Sequence, residues 1–275
     1  HKLRHTQYGF RQNKSTSQPI HIIRRLQEQA ERTGKGLYAL LLDWEKAFDK
    51  IHPQALLQSL RRFGVQESFV AIIQSIYTEP AFTVRAQGSH SQPKQARSGI
   101  RQGCPMSPYL FLIVHSAIMH DVQEQLTEGG TQQLPCLHSQ ARPLFDLAYA
   151  DDTIVVARTA QRTQQVLQLI ESTAAQYNLN LNHSKCELLR MNGDQEVRFT
   201  AGGPVKVKQS ARYLGVILRA DGFTHTDVSA RIGKARAGYK KLHSFWRHTD
   251  IPQAWKLKVF HTVFTPMLAY GMESA

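Results

Sequence analysis

"PLFDLAYADDTIVVARTA", Pro143 to Ala160, reads as two apolar strands, Leu144 to Tyr149 and Thr153 to Ala157, folded back on each other at a tight turn. The turn carries two adjacent aspartates, Asp151 and Asp152. One Asp in a turn is ordinary, since its carboxylate caps local amides and the residue tolerates unusual dihedrals. Two like charges about 4 Å apart at an effective dielectric near 20 repel by roughly 4 kcal/mol, a large share of a domain's stability. Either water screens the pair in a solvated turn, or a cation sits at the tip of the hairpin.

A third acid stands in a similar setting. "LYALLLDW", Leu37 to Trp44, is a near-continuous apolar run, as expected of a buried strand, and Asp43 lies at its exit. Taken alone, Asp43 reads as a helix N-cap or a strand-end acid. If the two strands are neighbours in one sheet, three carboxylates converge in an oxygen-rich pocket suited to Mg²⁺. Such a pocket can hold two ions about 3.5–4 Å apart, the arrangement of nucleotidyl transfer.

The flanking chain alternates strands and helices. "SQPIHIIRRLQEQAERTGKG" predicts a helix from Pro19 to a stop at Gly34 and Gly36. "PQALLQSLRRFG" and "ESFVAIIQSIYTE" predict two more, and "AFTVRAQG" with "PKQARSGI" a strand pair or extended segments. "SPYLFLIVHSAIMHDVQEQL" reads as a long, mostly buried helix, and Gly129 to Gln133 as a loop. Ala160 to Asn178 is helical, "CELLRM" a strand, "VKVKQSARYLGVILRADG" two short strands, and the pattern beyond Gly222 is helical to the end. Without the regular spacing of a doubly wound sheet, this order predicts an α+β fold, an antiparallel sheet packed on helices. The plausible boundary separates residues 1–220 from a helical segment, 221–275.

Of the 275 residues 41% are hydrophobic, enough for a substantial core. The longest apolar stretch, "YLFLIVHSAIM", is interrupted by His115 and Ser116, so no membrane span is expected. The chain begins "HKLRHTQYGF", with neither Met nor a signal peptide, and is expected to be an intracellular segment of something longer. Cys104, Cys136 and Cys186 have no paired spacing, and the thirteen histidines form no ligand pattern; His183 with Cys186 is half a site. The net charge is +13. From Arg231 to Lys258 the basic residues Arg231, Lys234, Arg236, Lys240, Lys241, Arg247, Lys256 and Lys258 face one acid, Asp250. In "VSARIGKARAGYKKLHSFWRH" the residues Val228, Ile232, Ala235, Tyr239 and Leu242 fall at helical spacing, predicting a buried apolar stripe with the cations turned to a polyanion.

"LLLDWEKAFDKI", "SGIRQGCPMSPYLF" and "AYADDTIV" together resemble, in order and spacing, the palm of reverse transcriptases, most closely those of non-LTR retrotransposons. "QYGFRQNKST", "LNLNHSKCELL" and "RYLGVIL" are similar to flanking segments of the same family, so the resemblance covers essentially the whole chain. It implies a polymerase palm followed by a thumb-like helical region. It also implies an RNA-directed DNA polymerase that extends a DNA primer on an RNA template with dNTPs, using two Mg²⁺ ions or Mn²⁺. Asp43, Asp151 and Asp152 become the metal-binding triad.

Tyr149 is implied to lie near the primer end. Phe48 is implied to sit beneath the sugar, excluding a ribose 2′-hydroxyl, although on its own it reads as core. Gln102 and Gly103 are implied to line the incoming nucleotide and template base, and Lys185 to act as general acid for departing pyrophosphate. Lys234, Arg236, Lys240 and Lys241 are implied to track an RNA–DNA hybrid. The fingers segment that the family carries ahead of "QYGF" is not in this sequence, which leaves a catalytically inactive RNA-binding remnant as the rival reading. Phe48 argues against the other rival, an RNA-templated RNA polymerase.

Overall fold

Alternation along one strand divides the protein into two layers. In the computed structural model, which describes residues 3–95, 98–128, 130, 133–138 and 142–272, β1 (Leu37–Leu42) is the central strand of a five-stranded sheet. It pairs antiparallel with β7 (Asp152–Ala157) on one side and β8 (Glu187–Met191) on the other. β6 (Asp146–Tyr149) lies outside β7, and β9 (Lys206–Val207) lies outside β8 as the one parallel partner. Four further strands form small ribbons: β2 (Ala81–Phe82) with β5 (Lys94–Gln95), and β3 (Arg85–Ala86) with β4 (Ser89–His90). β10 (Ser210–Tyr213) and β11 (Val216–Arg219) make a hairpin.

Leu37 and Ala39 join one cluster with Ile20, Ile23, Leu26 and Ala30 of α1 (Ser17–Thr33), Ile154 and Val156 of β7, and Tyr213 and Val216 of the β10–β11 hairpin. Tyr38, Leu40 and Leu42 point the other way. They meet a layer made by α3 (Pro53–Arg62), α4 (Glu67–Tyr77), α5 (Ser107–Glu128) and α6 (Ala160–Ala175), behind the short α2 (Ala47–Lys50). A central strand covered on both faces has no polar side to present, which is why "LYALLL" lacks alternation in its composition. α1 starts two residues before Pro19 and stops as expected at Gly34, whose φ of 65° lets its N–H reach the Glu31 carbonyl.

Long α5 is buried along Phe111, Val114, Ile118, Met119 and Val122. His115 belongs to this core, its pKa lowered to about 4 because burial disfavours the imidazolium. Other boundaries shift. α6 ends at Ala175 rather than Asn178, which turns away at a φ of 61°. The glycine-marked loop falls partly outside the described residues. Its described members Gly130 and Gln133 both have positive φ.

The tight turn differs from the sequence reading. Tyr149 pairs with Asp152, so the two turn residues are Ala150 and Asp151, and Asp152 is the first residue of β7. The two carboxylates are therefore not equivalent, since one sits on a turn and the other on a strand.

The C-terminal region is helical: α7 (His225–Lys241), α8 (His243–Arg247), α9 (Gln253–Val259), a π-helical turn (Phe260–Phe264) and α10 (Thr265–Ala269). Of the predicted apolar stripe of α7, Ala235 is buried and Val228 half-buried, but Ile232, Tyr239 and Leu242 are exposed. The buried residues are Asp227, Arg231 and Ala235, at i, i+4 and i+8. Asp227 accepts from Arg24 Nη2 at 3.0 Å, from Arg231 Nε at 3.0 Å and from the Ile217 N–H at 2.9 Å, and this satisfied network sets the helix rotation. Arg231 therefore leaves the basic surface it was counted in. Among the described residues no helix is long and apolar enough to cross a membrane.

Candidate active site

Asp43 leaves β1 one residue beyond its last paired position, Leu42 opposite Thr153, and so emerges beside Asp152. Its backbone is fixed from the other side by the turn that leads into β8. The Asn182 N–H donates to the Asp43 carbonyl at 2.8 Å, the Glu45 N–H donates to the Asn180 carbonyl at 2.9 Å, and the Asp43 N–H points to Cys186 Sγ at 3.5 Å. Cys186 is buried and burial pushes its thiol up to about 11, so it is an inert acceptor here and not a nucleophile. Lys185, in the same turn, lies with Nζ 3.7 Å from Asp43 Oδ2. The lysine side chain is 66% exposed, so the pair contributes little stability.

The aspartate hairpin is buttressed beneath. Thr153 Oγ1 donates to the Asp151 carbonyl at 3.2 Å and accepts from Trp44 Nε1 at 3.5 Å. With that hydroxyl proton committed, His115 Nε2, 3.1 Å away, must carry its own proton and donate. Ala150 sits at a φ of 58°, a left-handed conformation that costs a non-glycine residue about 1–3 kcal/mol. Asp151 and Asp152 are exposed above this frame. Partial desolvation, then the charge of Asp151, then that of Asp43 hold the Asp152 carboxyl above the ordinary carboxylate range. Asp152 thus senses both of the other acids.

Phe48, Gln102 and Gly103 also come together. Phe48, on α2, is half-buried and stacks on Phe111 with ring centroids 4.9 Å apart. The loop from Ser98 to Cys104 docks on α2, where the Ile100 N–H donates to the Phe48 carbonyl at 2.6 Å and the Gly99 N–H to the Ile51 carbonyl at 2.9 Å. Gln102 Nε2 donates to Asp49 Oδ1 at 3.0 Å. Gly103 has a φ of 82° and open space where a Cβ would stand. Gly99, which the sequence reading passed over, is the more constrained glycine, because a Cβ there would lie 2.7 Å from the Asp49 carbonyl oxygen.

Tyr149 is half-buried at the end of β6 and packs with the α1 layer. Lys234, Arg236, Lys240 and Lys241 are exposed on α7, and among the described residues no hydrogen bond or ion pair ties their side chains to the aspartates. Two further contributors escaped the sequence reading. Asp49 had no signal beyond its place in "KAFDK"; Gln7 had one, in the "QYGF" motif.

An all-carboxylate donor set with one exposed lysine nearby fits hard divalent cations. The ligand atoms of the three aspartates do not all lie within 4.8 Å of one another, whereas those of His120, Asp121 and Glu124 on α5 do. Arg62 and Tyr177 already engage Asp121, so that second group is an ordinary surface network.

The family model described as reverse transcriptase (RNA-dependent DNA polymerase) matches residues 1–218. Among curated proteins, the chain is 30% identical over 236 residues to the Transposon TX1 uncharacterized 149 kDa protein of Xenopus laevis, covering 82% of this chain and 17% of that protein. It is 29% identical to a Pol polyprotein from the type-1 retrotransposable element R2 of Popillia japonica, covering 88% and 39% respectively. It thus spans well under half the length of these relatives. Among solved structures, the telomerase of Candida albicans in complex with a TWJ fragment of telomeric RNA superposes with a TM-score of 0.57 at 13% identity, over 97% of this chain and 48% of that one. That likeness establishes the palm fold. Because the matched family segment contains the sheet, the aspartate hairpin and the loop docked on α2, the chain belongs to the reverse transcriptase (RNA-dependent DNA polymerase) family.

Proposed function

We propose that this chain supplies the polymerising palm of a non-LTR retrotransposon reverse transcriptase, extending a DNA primer on an RNA template with dNTPs. The observation that carries this reading is the junction of β1 with the β6–β7 hairpin, where Asp152 feels the charges of both Asp151 and Asp43. The primer 3′-hydroxyl oxygen forms a bond to the α-phosphorus of a dNTP. The bond from that phosphorus to the bridging oxygen breaks, and pyrophosphate leaves with the electron pair. Asp43, Asp151 and Asp152 would hold two Mg²⁺ or Mn²⁺ ions, whose charge favours the alkoxide form of the hydroxyl and neutralises the leaving oxygens. Lys185, beside Asp43, is placed to give a proton to the departing pyrophosphate. Gln102 and Gly103 line the nucleotide pocket, with Tyr149 toward the primer end. Residues 221–275 act as a thumb-like unit beside the palm of residues 1–220. Three free cysteines, Cys104, Cys136 and Cys186, suit a reducing, intracellular setting.

Primer extension on a poly-A template with Mg²⁺, compared between wild type and Asp151→Ala, tests this reading. Template-dependent incorporation that Asp151→Ala abolishes supports it. Binding of primed template with no incorporation by any version of the protein containing this segment would favour the inactive remnant.

Phe48 is half-buried and stacks on Phe111. Phe48→Val is expected to raise ribonucleotide incorporation relative to deoxyribonucleotide, with a melting loss well below the roughly 3–5 kcal/mol of truncating a fully buried phenylalanine to alanine. A collapsed melt with an unchanged sugar ratio would mean that Phe48 serves the core alone.

Lys234, Lys240 and Lys241 are expected to contact the backbone of an RNA–DNA hybrid. Replacing all three by Gln should weaken hybrid binding and flatten its log–log salt dependence by about 0.9 for each lost contact, taking the B-form scale. An unchanged slope would leave them as solvated surface.

A further inference from the structure

The turn that carries Asp151 is held by a side chain 143 positions away in sequence. Residues Thr6 to Tyr8 run along the free edge of β6, with the Ala148 N–H donating to the Thr6 carbonyl at 2.9 Å and the Tyr8 N–H to the Ala148 carbonyl at 2.7 Å. This added edge delivers Gln7, 1% exposed, beneath the turn. Gln7 Oε1 accepts from the Ala150 N–H at 2.9 Å and from the Gly9 N–H at 2.9 Å, while Nε2 donates to the Ala150 carbonyl at 3.1 Å. Two donors converge on one end of the carboxamide and an acceptor on the other, so the amide fits in one orientation only. Both peptide groups flanking Ala150 are thereby fixed.

Fixing those two groups has a specific consequence. Ala150 is the residue at a φ of 58°, and the peptide carbonyl held by Nε2 is the one that leads into Asp151. Release of the clamp frees Ala150 to relax toward negative φ, which would swing Asp151 relative to Asp152 and Asp43. The approach is too close for any other residue at Gly9, where a Cβ would stand 2.3 Å from the Ala150 nitrogen. The edge is anchored in turn by Arg4 and Thr6 on buried Asp146, at 2.7 and 2.9 Å.

We infer that Gln7 is a positioning residue for the catalytic turn: its carboxamide holds Ala150 in the left-handed conformation and so sets Asp151 to share a divalent cation with Asp43. The inference rests on the aspartates being the metal site.

Hydrogen exchange and Mn²⁺ binding by electron paramagnetic resonance, on this chain without nucleic acid, test it. In Gln7→Ala the Ala150 amide should exchange at least about tenfold faster, with the Val155 and Leu188 amides of the sheet still protected. Mn²⁺ affinity should fall about 10- to 100-fold, as for other groups that orient metal ligands. Gln7→Glu keeps the volume, and so remains informative if Gln7→Ala does not fold. It places a carboxylate oxygen against the Ala150 carbonyl and should lose affinity to a similar degree. Loss of Mn²⁺ binding in Asp43→Ala, with wild-type affinity in both Gln7 variants, overturns the positioning role alone. Wild-type Mn²⁺ binding in Asp43→Ala overturns the metal reading, and the inference with it.

Discussion

Asp43→Ala, or Asp151→Ala, in an active polymerase containing this segment is expected to reduce primer extension to below a few per cent of wild type, while the melting temperature holds or rises. The loss follows from what the residues do. If each carboxylate ligates the ions that stabilise charge developing at phosphorus, its removal takes away a preorganised electrostatic contribution, and single losses of that kind cost about 100-fold or more. The gain in stability follows from the same geometry. In the absence of metal Asp152 is pushed toward protonation first by desolvation and then by Asp151 and Asp43, so deleting a neighbour relieves repulsion. Asp151 is exposed and Asp43 partly so, and neither carries packing that its loss would empty. Primer extension and a thermal melt on the same preparations check both halves. Residual extension above a few per cent, or a melt that falls by many degrees, would place these carboxylates in structure rather than catalysis.

Much of this site was legible because its signals are local. A six-residue apolar run ending in Asp43, and a hairpin whose tip is acidic, each announce a strand exit. Their convergence required only that the strands be neighbours, and the register of Leu42 opposite Thr153 makes them so. α5 was likewise marked by its own composition, whereas the stretch from Val205 to Gly222, read as two short strands, holds three, β9, β10 and β11. What sequence could not give was any contact whose partners lie far apart and whose chemistry is ordinary. Gln7 is a glutamine in a polar stretch until Ala150 stands above it. Cys186, set aside in the sequence as only half of a metal site, is a buried acceptor for the Asp43 amide. The division of "DD" into a turn residue and a strand residue depended on where the Tyr149 pairing ends, a matter of one position that hydrophobic pattern does not resolve. α7 misled for a physical reason. Hydrophobic periodicity assumes that the apolar face is the buried one, and here a satisfied ionic network outcompeted it.

That network carries the second large expectation. Asp227→Ala should destabilise the protein by about 3–5 kcal/mol, the usual cost of removing one member of a buried ion pair. Asp227 is 4% exposed and Arg231 7%, so water does not replace what is lost. The substitution strands the Arg231 guanidinium, which among the described residues keeps the face of the Tyr270 ring at 5.2 Å. It removes one acceptor from Arg24, which retains the Gly271 carbonyl at 2.7 Å, and the acceptor of the Ile217 N–H. For a chain of this size, at about 2–4 °C per kcal/mol, the melt should drop by roughly 6–20 °C. Asp227→Asn keeps the shape and an acceptor for Ile217 but not the charge, and should fall between. The groups linked through Asp227 and Arg24 come from α1, β11, α7 and the residues after α10, so the network is where the basic helices are registered on the palm. Hybrid binding by Asp227→Ala below its melting temperature should therefore weaken although every exposed lysine remains. If binding and melt both stay within error of wild type, α7 is held by its other contacts and the ionic network is dispensable.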